Sequence, residues 1–176
     1  MQGFYVRLRT LRLTDSFFVY LLRKSQLNSK YLHKTTISSH VKFSLSSYIN
    51  RIKKKDFNFL IQSNDGKRIG TISIYKVDWG SKSAELGRWI CSGSAPANLE
   101  SLLLGFQFAF EELNLELVYC RTLMSNTRVV NLHKRLPYSE RTILKSAREE
   151  YIQDTLQLGG WEEFSTYLKT RIKTIC

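Results

Sequence analysis

Residues 91–104, CSGSAPANLESLLL, pass from a short polar loop into an apolar run. A loop that opens a helix presents free backbone N–H groups and the positive end of the helix dipole, and both favour an anion such as a phosphate. This one holds a single glycine, Gly93, and a proline, Pro96, which removes one amide donor but presets φ for a helix start. Ser94 and Asn98 add side-chain donors. A plain helix start with no ligand is the alternative. The second feature is charge. From Arg23 to Lys55 there are nine Lys or Arg and no Asp or Glu, in a chain of formal charge +12. A one-sign cleft focuses potential on an anionic ligand. A solvated basic face, or nonspecific attraction to nucleic acid, is the plainer account. The spread of the charges fits a broad funnel better than a localisation tag.

Two titratable residues sit inside patterned segments. Glu85 lies in the run SAELGRWIC and His133 in NTRVVNLHKRL. Glu85 could equally be a structural carboxylate paired with Arg88 or a lysine. His133 is a proton donor by type, since imidazole titrates near neutral pH, or a solvated helix histidine. The histidines, His33, His40 and His133, show no ligand spacing with Cys, Asp or Glu, so no metal is expected. Cys91, Cys120 and Cys176 are odd in number and far apart, which argues against a disulfide framework.

The elements that must position these residues follow from periodicity. Residues 4–12 alternate as a half-buried strand, and a helix follows, opened by Thr14 or Asp15, with Phe17, Phe18, Leu21 and Leu22 at helical spacing. SLSSYINRIKKK reads as a second helix with Leu45, Tyr48, Ile49 and Ile52 on one face. Three strands, 56–63, 68–79 and 83–91, joined by tight turns, predict an antiparallel meander. Then come a strongly apolar helix over 99–114, a core strand over 115–123 and a helix over 126–136. A strand near 140–144, a last strand over 150–160 and a last helix from Trp161 complete the chain. Strand–helix–strand order implies crossover connections. The expected class is α/β (α+β): a mixed seven-stranded sheet with an antiparallel front half, a parallel back half and helices on both faces.

The chain has 176 residues, 43% of them hydrophobic and 24% charged, which suits one domain over residues 1–176 with one core. No apolar run is long enough to span a membrane, and Met1 to Arg12 lacks the apolar block of a signal peptide. A cytoplasmic location is the expectation.

Two long stretches, GKRIGTISIYKVDWGSKSAELGRWI (66–90) and AFEELNLELVYCRTLMSNTRVVNLHKRLPY (109–138), resemble the GNAT superfamily of N-acetyltransferases. They look most like its amino-sugar and ribosomal-protein branches. LLRKSQLNSKYL (21–32) is similar to a segment of the branch that acetylates nucleotide-linked 4-amino sugars. The resemblance implies that acetyl-CoA, the acyl donor, lies in a gap where the strand ending in GRWI splays from the next parallel strand. Its pantetheine would pair with Trp89, Ile90 and Cys91. Its pyrophosphate would rest on the loop after that strand, with contacts from Ser94, Ala97 and Asn98. The family's glycine-rich loop is altered here: Gly93 replaces the basic residue, and Pro96 and Asn98 replace glycines. The resemblance makes Glu85 the base, directly or through water, with Asp78 a weaker candidate. It puts His133 where the family has the tyrosine that protonates the thiolate, and makes Asn126 a helix cap or pantetheine ligand. Arg23, Tyr31 and Tyr48 fall in the acceptor region.

The function so implied is transfer of an acetyl or other acyl group to the amine of an anionic small molecule, a nucleotide sugar for surface-glycan biosynthesis. A ribosomal-protein N-terminal acetyltransferase, an acyltransferase fed by acyl carrier protein, and a non-catalytic binding module on a degenerate fold are the alternatives. Nucleic acid is not an expected partner, and either a monomer or a homodimer is compatible with the chain.

Overall fold

The computed structural model describes residues 1–25, 36–147 and 149–175. Seven strands form one sheet in the order β1-β2-β3-β4-β5-β7-β6. They are β1 (Val6–Thr10), β2 (Phe57–Ser63), β3 (Arg68–Asp78), β4 (Ser83–Cys91), β5 (Leu117–Leu123), β6 (Glu140–Lys145) and β7 (Glu150–Gln157). Five α-helices accompany them among the described residues: α1 (Ser16–Lys24), α2 (Ile37–Ile52), α3 (Ala95–Gln107), α4 (Thr127–His133) and α5 (Trp161–Thr174).

Strands β1 to β4 pair antiparallel, as the meander predicts. β4 and β5 are parallel over three residue pairs, Ser83↔Leu117, Ala84↔Val118 and Glu85↔Tyr119. The parallel character of the back half rests on that pair alone, because β7 pairs antiparallel with both β5 and β6. The crossover through α4 does return β6 in the direction of β5. Hairpin pairing then places β7 between them, so direction was legible from the strand–helix–strand order and adjacency was not.

The two faces of the sheet differ in chemistry. Ile72 and Ile74 are fully buried, and α3 lies so close above them that a Cβ on Gly105 would stand 2.9 Å from Ile72 Cδ1. Phe106 of α3 meets Phe164 of α5 edge-on at 4.8 Å between ring centroids, which ties the two helices into the main core. The opposite face carries Asn58 and Ser73, both buried. Ser73 donates to Asn58 Oδ1 at 2.7 Å, and Asn58 donates to Ser47 of α2 at 3.1 Å. Polar satisfaction, rather than an apolar seam, locks α2 onto the sheet.

Helix α3 begins at Ala95, earlier than the apolar run suggests, because Ser94 caps it and Pro96 fits its first turn. It closes in a wider turn over Phe108–Glu112. Helix α2 also starts early, at Ile37, where Thr36 and Ser39 cap reciprocally. Asp15 does not cap α1; its carboxylate takes both guanidinium nitrogens of Arg9 at 2.7 Å and the backbone N–H of Arg12 at 2.8 Å.

Candidate active site

Beyond Glu85↔Tyr119 the parallel pairing stops, and β4 and β5 diverge. The cause lies in β4. Between Thr71↔Ile90 and Ser73↔Gly87, two steps on β3 oppose three on β4, and Arg88 takes φ +48°. That extra residue is a bulge, which bends its strand and sharpens its twist. A non-glycine residue held in the left-handed region costs about 1 kcal/mol or more, and such strain gathers at functional sites. The result is an open cleft of about 780 Å³. Its walls include Glu85 to Ile90 of β4, Cys120 to Leu123 of β5, and Asn126, Val129 and His133 of the segment carrying α4. Among the described residues the β4 backbone facing the gap has no strand partner there, so it can accept an added extended chain.

Glu85 is buried at the point where the strands part. Its carboxylate accepts from the Tyr75 hydroxyl at 2.6 Å and from Lys76 Nζ at 2.8 Å, and Arg121 stands 3.9 Å away. Lys76 reaches it from a second left-handed position, φ +54°, where the β3–β4 register again shifts. Tyr75 holds its proton: burial, with help from Glu85, raises it far above an ordinary phenol. The Arg88 guanidinium lies 4.0 Å from the Tyr75 ring centroid, a cation–π contact across the cleft floor.

His133 is buried and lines the cleft. Its Nδ1 lies 3.2 Å from the Tyr138 hydroxyl and 3.4 Å from Asp154 Oδ2, and its ring stacks on Tyr138 at 5.5 Å. Arg141 donates to the other Asp154 oxygen at 2.5 Å. Burial alone would raise Asp154, but the nearby His133 ring and the Arg141 hydrogen bond outweigh it and hold the carboxyl below its usual range. Tyr138 and Asp154 did not emerge from the sequence pattern. Tyr138 closes the second GNAT-like stretch directly after Pro137, a signal that could have been followed; Asp154 sits in β7 with no local mark.

Cys120 also lines the cleft, 3.8 Å from the Tyr138 hydroxyl, and burial pushes its thiol up to about 12. Burial raises Cys91 as well. Neither is a thiolate near neutral pH, so an acyl-cysteine intermediate on either is disfavoured.

The other expected site residues fall in several places. Trp89, Ile90 and Asn126 line the cleft. Trp89 turns its indole N–H onto Ser101 of α3 at 3.0 Å, and Asn126 caps α4 by accepting from the Val129 amide. Cys91 pairs with Gly70 on β3, beside the cleft wall. The loop over 92–98 satisfies much of its own hydrogen bonding. Ser94 accepts from the Ala97 amide, the Asn98 amide bonds back to Ser94 O, and the Asn98 carboxamide bonds to Gly93 O and Ser94 O. With Pro96 lacking an N–H, fewer donors point outward than a glycine-rich loop would offer. Asp78 lies outside the cleft; it holds its own turn through Gly80 and Ser81. Tyr48 is exposed on the outer side of α2 and lines neither hollow described here. Tyr31 falls outside the described residues.

Arg23 borders both the cleft and a second hollow of about 340 Å³ beneath α1 and α2. That hollow is lined by Arg23, His40, Asn58, Thr71, Ser73 and Arg88, with apolar neighbours. Arg23 Nε is buried with no hydrogen-bond partner among the described residues. Burial, and after it the charge of Arg88, lowers the Arg23 pKa. Among the described residues no cluster of three or more His, Cys, Asp or Glu could hold a metal ion.

The acetyltransferase (GNAT) domain family model matches residues 6–138. The chain belongs to the GNAT acetyltransferase family. Solved structures agree on the fold. Apo FdhC, described as a nucleotide-linked sugar GNAT, superposes with a TM-score of 0.77 at 22% identity, over 90% of each chain. A spermidine N-acetyltransferase from Vibrio cholerae, in complex with CoA and spermine, gives 0.74 at 14% identity, over 91% of this chain and 99% of that one. A mutant of the same enzyme, SpeG, gives 0.75 at 14% identity, over 90% and 97%. No curated protein matches the chain. GNAT acetyltransferases use acetyl-CoA, and in this member the strands β4 and β5 splay apart beside an open cleft.

Proposed function

We propose that this GNAT acetyltransferase moves an acetyl group from acetyl-CoA to the amine of an anionic acceptor, a nucleoside-diphosphate-linked amino sugar. The observation that carries the reading is the Arg23–Arg88 pair. Two guanidinium groups border one hollow, the first desolvated and with a buried Nε lacking a partner among the described residues. Such an arrangement is costly alone and is relieved by a bound diphosphate, which accepts from planar guanidinium donors. Lys76, Arg121 and Lys145 add positive charge along the cleft against Glu85 and Glu149. A polycation such as spermidine would meet like charge there.

In this reading Glu85 receives the proton of the acceptor ammonium at the point where the strands part. Lys76 and Tyr75 hold its carboxylate in place. His133, oriented by Asp154 and Tyr138 through Nδ1, keeps Nε2 for the departing thiolate. Asn126 opens α4 and so fixes the height of His133 in the cleft wall. The pantetheine arm pairs with the backbone of Trp89 to Cys91, and Ser94, Ala97 and Asn98 frame the phosphate end. The self-satisfied loop favours a second reading of the donor, in which an acyl carrier protein presents the same arm and its own acidic surface replaces the loop contacts.

Arg23→Gln tests the acceptor reading. It should raise KM for a nucleoside-diphosphate amino sugar about tenfold or more while leaving KM for acetyl-CoA within about twofold. An unchanged acceptor KM contradicts the assignment of the hollow.

A further inference from the structure

Helix α2 is folded with its polar side in and its apolar side out. Ile37, Val41, Leu45, Tyr48, Ile49 and Ile52 fall within an arc of about 120° at 3.6 residues per turn. All six are exposed, Leu45 by 57% and Tyr48 and Ile52 each by 67%. The neighbouring arc of about 60°, carrying His40, Ser44 and Ser47, is buried. Ser44 accepts from Ser16 at 2.8 Å and Ser47 accepts from Asn58, so the buried arc is held by specific hydrogen bonds and the helix cannot roll its apolar side inward without breaking them. An exposed arc of this length, apolar but for Ser38 in the first turn, marks an interaction surface.

Its surroundings identify the partner. Lys42 lies beside the arc, and Lys53, Lys54 and Lys55 close the helix, all exposed. The sequence has no acid between Asp15 and Asp56. Trp79, 45% exposed, donates its indole N–H to the Lys54 carbonyl at 3.0 Å, which plants an amphipathic aromatic beside the lysine cluster. A second copy of this chain meeting the same face would bring no acid to those lysines, since the stretch from Ser16 to Lys55 holds none. A helical protein partner wants a groove, whereas this surface is the convex side of one helix. An apolar ridge with flanking lysines and an interfacial tryptophan matches an anionic lipid surface.

We infer that α2 and Trp79 seat this protein peripherally on an anionic lipid bilayer, with the apolar arc in the headgroup–acyl boundary and Lys42 and Lys53–Lys55 on the lipid charges. No helix among the described residues is long and apolar enough to cross a membrane, so the contact is one of lying on the surface. The attachment is independent of which amine the cleft acetylates.

Vesicle flotation with the purified full chain tests this, using phosphatidylcholine vesicles with and without phosphatidylglycerol. Wild type should float with the anionic vesicles and stay behind with the neutral ones. Leu45→Ser/Ile49→Ser should weaken partitioning about tenfold or more. Lys53→Gln/Lys54→Gln should weaken it about fivefold per lysine. Added anionic vesicles should also shift the tryptophan emission to the blue, and Trp79→Phe should remove that shift. Both stripe and lysine variants should keep the wild-type circular dichroism and Tm, since they change only exposed side chains. Wild type that fails to float with anionic vesicles overturns the inference. So does flotation that the stripe variant leaves intact. A dimer that the stripe variant dissociates, or saturable binding of the stripe to an acidic carrier protein without lipid binding, assigns the surface to another partner and overturns it as well.

Discussion

His133 Nδ1 and Asp154 Oδ2 stand 3.4 Å apart beneath the cleft, both almost fully buried, with Arg141 on the far carboxylate oxygen. A carboxylate at that position helps fix which ring nitrogen is left for the cleft. His133→Ala should lower kcat about a hundredfold. Asp154→Asn should lower it less, about tenfold, with KM for acetyl-CoA within about twofold, because the ring loses a group that orients it but no contact with the donor. Steady-state kinetics of both variants, measured with melting curves alongside, check this. A wild-type kcat in Asp154→Asn would assign Asp154 to structure alone.

The same carboxylate contributes to acid stability. Asp154 and Asp15 are each held below the usual 3.8; burial pulls them up, but the nearby His133 and the Arg141 hydrogen bond on the one, and hydrogen bonds from Arg9 and the Arg12 amide on the other, pull them further down. A depressed carboxyl stabilises the fold fully above its unfolded pKa and loses that contribution as pH falls through its folded value. Stability should therefore drop below about pH 4. Asp15→Asn should remove part of that acid dependence and cost about 3 kcal/mol at neutral pH, since it leaves the partly buried Arg9 without its carboxylate. Denaturant melts at a series of pH values give both quantities.

The bulge at Arg88 depends on close approach by β3. A Cβ on Gly70 would meet the Ile90 carbonyl at 2.1 Å, a backbone atom that cannot swing aside. Gly70→Ala should cost about 3 kcal/mol of stability by forcing the two strands apart. It should also impair acetyl-CoA binding more than loss of folded protein explains, because Ile90 lines the cleft. Calorimetry on the folded fraction separates the two effects.

The loop before α3 makes an opposite prediction. Pro96→Gly/Asn98→Gly restores one amide donor and removes the side chain that ties the loop to the Gly93 and Ser94 carbonyls, so its backbone can approach a phosphate more closely. Acetyl-CoA should bind about tenfold tighter if the pyrophosphate reaches the loop. An unchanged Kd would place the donor's phosphates elsewhere or favour a carrier protein as donor.

How much of this could be read from the sequence depends on the range of the interaction. The β2–β3–β4 meander follows from alternation and turn residues, and β4 was read at its observed bounds, Ser83–Cys91. The extent of α2 was not, because its first turns are SSH-rich and its buried arc is polar; a pattern reading takes Leu45, Tyr48 and Ile49 as the inward face, and the fold turns them out. Glu85 and His133 were legible by position in the chain, while their settings were not. Lys76 reaches Glu85 from a left-handed turn of β3, and Asp154 reaches His133 from β7. Such long-range partners follow from strand order, and strand order is where periodicity is silent.

The most direct measurement is mass-spectrometric detection of acetyl transfer from acetyl-CoA by the purified chain, with a nucleoside-diphosphate 4-amino sugar and spermidine offered separately. The account predicts an acetylated nucleotide sugar, with kcat/KM at least about a hundredfold above that for spermidine. Acetylated spermidine with the sugar untouched would contradict it.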